Sequence, residues 1–428
     1  MRPSRRTVLA SGAIAAAASG TRANAATRTP AHDAAWLQAV LERYASFGNK
    51  ASGGPGDEAC GAWLEAELTK AGYACERQPF DVPYFDAATA ALTSNAARAT
   101  VIPQALVQPT GPNGVTAPLR RADANADLSG AIALLDLPYK LWAGVGQIAE
   151  PVADAFRRGA VAAVAITNGA SGETVALNAS PKKPMFDKPV AILAPKDAAP
   201  FLKAAAQGDD ATLTVDGQGG RRKAYNVIAR RDRGAAQTFV LSTPRSGWFD
   251  CVAERGSGLA VWLALAQWLA AANHKVNFEL VATSGHEYVY LGGEHYLAEK
   301  APKPSETKLW MHIGASLAAR AWHDIGAAPR PLSSADPARV MIATADQLAT
   351  VRRTFKGLPG LEDAYLADKI TTAGELANVI EAAYPSAIGE YGFHRYFHTS
   401  ADDLRCTSGT LVAPVLAAYK KTLTACLA

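Results

Sequence analysis

The chain has 428 residues, 49% of them hydrophobic and 19% charged, with a formal net charge of +4. That balance suits a globular protein and is too weakly basic to imply nucleic acid or an anionic membrane surface as a partner; the cluster Arg221-Arg222-Lys223 is too short to change this. At this length two folded units are expected, and after the amino terminus no stretch approaches the ~20 apolar residues that a membrane-spanning helix needs.

Ser4-Arg5-Arg6-Thr7-Val8-Leu9 is a twin-arginine signature, followed by a short apolar run over 13–18 and the small residues Ala23-Asn24-Ala25. Residues 1–25 are read as an export signal, which predicts a periplasmic or secreted mature protein. The route carries folded chains and suits a protein that takes up a metal before crossing. Of the five cysteines, Cys60 and Cys75 are spaced to permit a bridge across a short loop, while Cys406 and Cys426 bracket the last predicted helix. No cysteine spacing of the metal-binding kind occurs, so buried or bridged structural cysteines are expected.

Apolar residues at helical spacing predict helices over 33–48 (Trp36, Leu37, Val40, Leu41, Tyr44) and from Asp57, read as the cap, to Gly72 (Cys60, Trp63, Leu64, Leu68). A strand follows over 73–83. From about 85 to 220 the chain becomes rich in Ala, Gly and Pro, with short strands over 130–135, 160–167 and 189–193 and a helix over 147–159, as in a small β-rich unit. Strands over 225–230 and 238–243 come next, then a helix over 257–272. Strands over 309–313, 339–342 and 386–389 alternate with helices over 345–355 and 374–383, and a last helix begins at Thr407 or Ser408.

Between Tyr225 and Tyr296 the pattern places His286-Glu287 at the carboxyl end of a strand, where open α/β sheets present their chemistry. In order, Tyr225-Asn226-Val227-Ile228-Ala229, Phe239-Val240-Leu241-Ser242-Thr243, Ser257-Gly258, Gly285-His286-Glu287, Leu291-Gly292-Gly293 and His398-Thr399-Ser400-Ala401-Asp402 resemble the frame of the zinc aminopeptidases of metallopeptidase family 28. The resemblance implies an α/β three-layer sandwich with a mixed, mainly parallel central sheet and an inserted small β-rich domain. It divides the chain into 26–88, the amino-terminal part of the peptidase-like domain; 89–222, an insertion that looks like a protease-associated domain; and 223–428, the main catalytic domain.

The family holds two zinc ions, bridged by an Asp, and uses a Glu as base. This chain departs from that pattern: Thr243 and Arg245 stand where the family has a His and an Asp, Glu254 replaces the bridging Asp, His286 replaces the base, and His312 (or Met311) replaces a further Asp. Glu254, Glu287 and His398 keep the ligand types of the second metal, enough for one tetrahedral zinc with an open position. His286 is expected as proton acceptor, with metal ligation equally allowed; His312 is a further catalytic or ligand candidate. Arg245 is expected either to bind a substrate carboxylate or steady an oxyanion, or to pair with Asp250. Trp248 and Tyr396 are candidates to line the site.

The implied activity is exported hydrolysis of an amide or peptide-like bond in a small-molecule or peptide substrate, at a single-zinc site, with no membrane insertion. Two alternatives stand beside it: a non-catalytic binding protein on the peptidase frame, and aminoacyl transfer of the glutaminyl cyclase kind.

Overall fold

The computed structural model describes residues 31–428 except 105, 107, 141–145 and 327, so the expected signal over 1–25 lies outside the described residues. Helix α1 (Ala34–Ala45) starts where the Asp33 carboxylate accepts from the Trp36 amide, and it buries Leu37, Val40, Leu41 and Tyr44. Helix α2 (Pro55–Lys70) is capped by Gly54 rather than by Asp57, which lies in its first turn and is fully buried. Strand β1 (Ala74–Ser94) runs well beyond the expected 83. After it come β2 (Arg98–Pro103), β3 (Val115–Arg121), β4 (Ile132–Asp136), α3 (Gly146–Arg157), β5 (Ala162–Ile166), β6 (Val190–Leu193), α4 (Ala198–Gln207) and β7 (Asp210–Arg231).

The extra length of β1 has a partner: it pairs antiparallel with β7 from Ala74↔Arg230 to Ser94↔Ala211, a ribbon shared by two parts of the molecule. At one end the ribbon closes a hydrogen-bonded circuit, β1-β2-β6-β5-β4-β3-β7. Leu92, Leu119, Leu134, Val164 and Phe201 pack together there, and Ile148, Val152, Leu135 and Ile192 form a second cluster under α3.

At its other end β7 joins the main sheet, in the order β7-β9-β8-β10-β15-β13-β14. The remaining elements are β8 (Thr238–Pro244), α5 (Ser257–Ala271), β9 (Asn277–Thr283), α6 (Leu291–Glu299), β10 (Thr307–His312), the hairpin β11 (Arg320–His323) and β12 (Arg330–Ala335), β13 (Arg339–Ala343), α7 (Ala345–Thr354), β14 (Tyr365–Leu366), α8 (Glu375–Glu381), β15 (Ala387–Gly392) and α9 (Gly409–Cys426). Strands β9, β8, β10 and β15 are parallel, while β7 runs against β9, and β13 runs against β15 but parallel to β14. Successive side chains of a strand face opposite ways. Thus Phe239, Leu241, Leu280 and Met311 meet α1, α2, α5 and α9, whereas Val240, Val281 and Trp310 meet Tyr296 of α6 and Leu376 and Val379 of α8. Buried on both faces, these strands read as continuous apolar runs, and the result is a three-layer α/β sandwich with a mixed, mainly parallel sheet. All five cysteines are free, so Cys60 and Cys75 make no bridge; the Cys75 thiol donates to the Glu65 carbonyl and Cys60 lies in the core. No helix among the described residues is long and apolar enough to cross a membrane.

Candidate active site

Strands β8, β9 and β10 stop at Pro244, Thr283 and His312, and the segments leaving them meet. Beyond β9 the chain turns at Gly285, whose φ of 77° is left-handed, and delivers His286 and Glu287. Asn226 of β7 clamps the turn: its Nδ2 donates to the Gly292 carbonyl at 2.8 Å and its Oδ1 accepts from the Ser284 amide at 3.2 Å. With 7% and 3% of their surface exposed, His286 and Glu287 form an internal turn.

Glu254 and Arg255 lie in one turn of π-helix, Val252–Gly256, leading into α5. Both oxygens of Asp402 brace it, accepting from the amides of Ala253 at 2.8 Å and Glu254 at 3.0 Å. Charges inside so apolar a run are tolerable only as partners. Arg255 Nη2 stands 2.8 Å from Glu254 Oε1, the oxygen that also lies 3.3 Å from His398 Nε2. Burial pushes the Glu254 carboxyl up, but the Arg255 guanidinium and the His398 ring together outweigh it and bring it down to about 2. Arg255 Nε donates to the Ser246 carbonyl at 3.1 Å. Ser246 and Ser52 in turn donate their hydroxyls to Glu287 Oε2, at 3.0 and 2.5 Å. Burial raises the Glu287 carboxyl against the pull of Arg255 and these two hydroxyls.

His286 presents Nδ1 to Glu375 Oε1 at 3.0 Å, and the Thr283 hydroxyl donates to both oxygens of Glu375, at 2.8 and 3.0 Å. Burial, reinforced by Arg255, pulls the His286 imidazole well below its ordinary value, so the ring is neutral near pH 7. When Glu375 accepts from Nδ1, Nε2 carries the lone pair. His398 has a left-handed φ of 58°; its Nδ1 donates to the Ala176 carbonyl at 2.9 Å, which turns Nε2 toward Glu254.

The geometry corrects two expectations. Arg245 does not face a substrate, nor does it pair with Asp250: fully buried, it pairs with Asp57 Oδ1 at 3.0 Å, donates to the Ala282 carbonyl at 2.9 Å and lies over the Tyr225 ring. His312 is engaged through Nδ1 with Ser242 Oγ at 2.9 Å, and burial, with His286 and Arg255 adding to it, lowers its imidazole to about 4. It is a buried residue at the end of β10, held through Nδ1 by Ser242. Trp248 donates Nε1 to Asn178 Oδ1 at 2.9 Å, while Tyr396 packs against Trp322.

No protein-family model matches this chain, and no curated protein matches it. Solved structures do. A zinc aminopeptidase from Bacillus subtilis superposes with a TM-score of 0.72 at 16% identity, over 93% of this chain and 95% of that one. A peptidase M28 precursor from Shewanella amazonensis gives 0.67 at 15% identity over 91% and 93%, and an aminopeptidase from Aneurinibacillus 0.63 at 17% over 92% and 93%. The fold is that of the zinc aminopeptidases.

Whether a zinc aminopeptidase fold carrying these residues fits the metal is decided by the donor atoms. Glu254, Glu287 and His398 are suitable types, and neither Glu254 oxygen, nor Glu287 Oε1, receives an aligned hydrogen bond. Zinc bonds of about 2.0–2.2 Å nonetheless require the donors to close around one point. Among the described residues the group whose donor atoms lie within 4.8 Å of one another is His394, Asp402 and Cys406; the expected trio is not such a group. A guanidinium, moreover, already stands against Glu254. With the donors of the trio placed this way and a guanidinium against Glu254, the site as built does not fit the expected zinc. The other cluster is a brace: both Asp402 oxygens hold backbone amides, and burial, first, drives the Cys406 thiol up.

Two residues central to this geometry escaped the sequence reading. Arg255 had a signal, a charge beside Glu254 within an apolar run. Glu375 had none, since it comes from a separate element, α8, and meets its partners only in the fold.

Proposed function

We propose that this chain is an exported hydrolase of an amide or peptide-like bond in a small or peptide substrate, with His286 as the proton-transfer group and Glu375 as its positioning partner. One observation carries the reading: a neutral imidazole at the carboxyl end of β9, tied through Nδ1 to a buried carboxyl, with Nε2 left to take a proton. In the reaction a water oxygen bonds to the substrate carbonyl carbon while Nε2 takes its proton. The same nitrogen then gives that proton to the departing amine as the C–N bond breaks. The solved relatives named as zinc aminopeptidase, aminopeptidase and peptidase have this chain's fold and support hydrolysis of such bonds. The insertion over 89–222 serves in this reading as a protease-associated-like cover, and cleavage after residue 25 on export through the twin-arginine route completes it.

The test is turnover of an aminoacyl-amide and dipeptide library by the mature protein. His286→Ala should lower kcat by about 10²–10⁴-fold. Glu375→Gln should lower it less, about tenfold, and restore part of it when the variant is Glu375→Asp. No turnover by the parent on any substrate, or full turnover by His286→Ala, defeats the proposal.

A second reading, a binding protein on the peptidase frame, is favoured by the mutual neutralisation of Glu254 and Arg255 in a buried site. It requires ligand affinity that His286→Ala changes by only a few fold, with no turnover at all. Aminoacyl transfer, the third alternative, requires ammonia release from amino-terminal Gln peptides.

A further inference from the structure

We propose that the Arg255 guanidinium is the resident cation of this site, standing where the fold's relatives carry metal, so that the site operates without a bound ion. Its role as the group that steadies a developing oxyanion rests on the hydrolase reading; its role as the built-in positive charge does not.

The placement is specific. Arg255 leaves the π-turn beside Glu254, the residue at the expected bridging position, and contacts its Oε1 at 2.8 Å. Its Nε is fixed on the Ser246 carbonyl, and the Ser246 hydroxyl is fixed on Glu287 Oε2, so one side chain links both expected carboxylate ligands. Both ionic partners are nearly unexposed, at 2% and 1% of side-chain surface. Arg255 thus lies against Glu254 directly and reaches Glu287 through Ser246. A metal ion would act on the same groups. Guanidinium remains charged across the whole accessible pH range, so the positive charge is permanent.

The rest of the expected metal framework is filled in a compatible way. Thr243, in place of a ligand imidazole, donates its hydroxyl to the Ile313 carbonyl at 2.9 Å. Arg245, in place of the Asp two residues on, is tied to Asp57. A divalent ion entering beside Glu254 would meet a fixed like charge within hydrogen-bonding distance of its first ligand.

Zinc uptake is the direct measurement and needs no substrate. The mature protein, purified without chelator, should carry less than about a tenth of an equivalent of zinc, and added zinc chloride should leave its thermal midpoint unchanged. Arg255→Ala frees Glu254 and Glu287; it should take up about one equivalent, with a midpoint that rises with zinc concentration. Arg255→Lys keeps the charge and should take up none, and Arg255→Gln serves as the neutral replacement of similar size if the alanine variant does not fold. Stoichiometric zinc in the parent, removed by Glu254→Gln, overturns the inference, as does a folded neutral variant that binds no more zinc than the parent. If the parent turns over no substrate, the hydrolase reading fails while the zinc titration still decides this one.

Discussion

Glu390 on β15 shows how a single buried acid couples this site to pH. Its Oε1 accepts from the Gly314 amide at 2.7 Å while Oε2 has no hydrogen-bond partner among the described residues. Burial raises the carboxyl from 4.5 to about 8, against the Gly314 amide and the charges of Arg339 and Arg255. The folded form therefore holds its proton to higher pH than the unfolded chain. The stability contributed by that proton is full below about 4.5 and is lost as pH rises toward about 8, at up to about 1.4 kcal/mol per pH unit. Glu390→Gln cannot ionise, so its urea midpoint should fall less than the parent's between about pH 5 and about pH 8. Equal falls in the two proteins would show that Glu390 does not titrate in this window.

At the scale of elements, the turn after β9 depends on close approach. A Cβ on Gly292, at the start of α6, would stand 2.0 Å from the Ser284 carbonyl oxygen and 2.6 Å from Asn226 Oδ1. Neither neighbour can give way without moving the turn that carries His286 and Glu287. Gly292→Ala should therefore lower stability by about 1–3 kcal/mol in urea unfolding and reduce turnover together. Gly146→Ala in α3, with nothing within 4 Å of an added Cβ among the described residues, should cost nothing or add up to about 1 kcal/mol. Helix α5 is anchored differently, by burial: Trp262 is fully buried and donates Nε1 to the Leu241 carbonyl at 3.0 Å. Trp262→Ala should cost about 3–5 kcal/mol, and a loss below about 1 kcal/mol would mean that the helix is held elsewhere.

Across the whole molecule, the strand circuit and the sandwich are joined by the β1–β7 ribbon and meet again at the site. The Ala176 amide donates to the His398 carbonyl at 2.9 Å, the Ala179 amide to the Glu287 carbonyl at 3.0 Å, and Trp248 to Asn178. His398 is thus oriented by a segment 222 positions away in sequence. Asn178→Ala removes one of these ties while leaving the core intact. Amide exchange at Ala176 and Ala179 should then rise several-fold, with β8 amides unaffected; unchanged exchange at those two positions would show that the segment is held without the Trp248 contact.

The sequence alone determined the order and kind of the main helices and sheet strands, though not β2, β3, α4, β14 or the β11–β12 hairpin, because apolar periodicity and turn chemistry are local, and it located His286-Glu287 at a strand's carboxyl end because that follows from order alone. The ordered motifs from Tyr225 to Asp402 also led to the right fold. Only the tertiary structure decided which charges are partners. Arg245 finds Asp57 across 188 positions, Glu375 reaches His286 from α8, and Arg255 folds back on Glu254 in a turn whose shape is set by Asp402. Ligand types can be read from a chain, but whether their tips close on one point depends on segments brought together by packing, and here packing set the Arg255 guanidinium against Glu254.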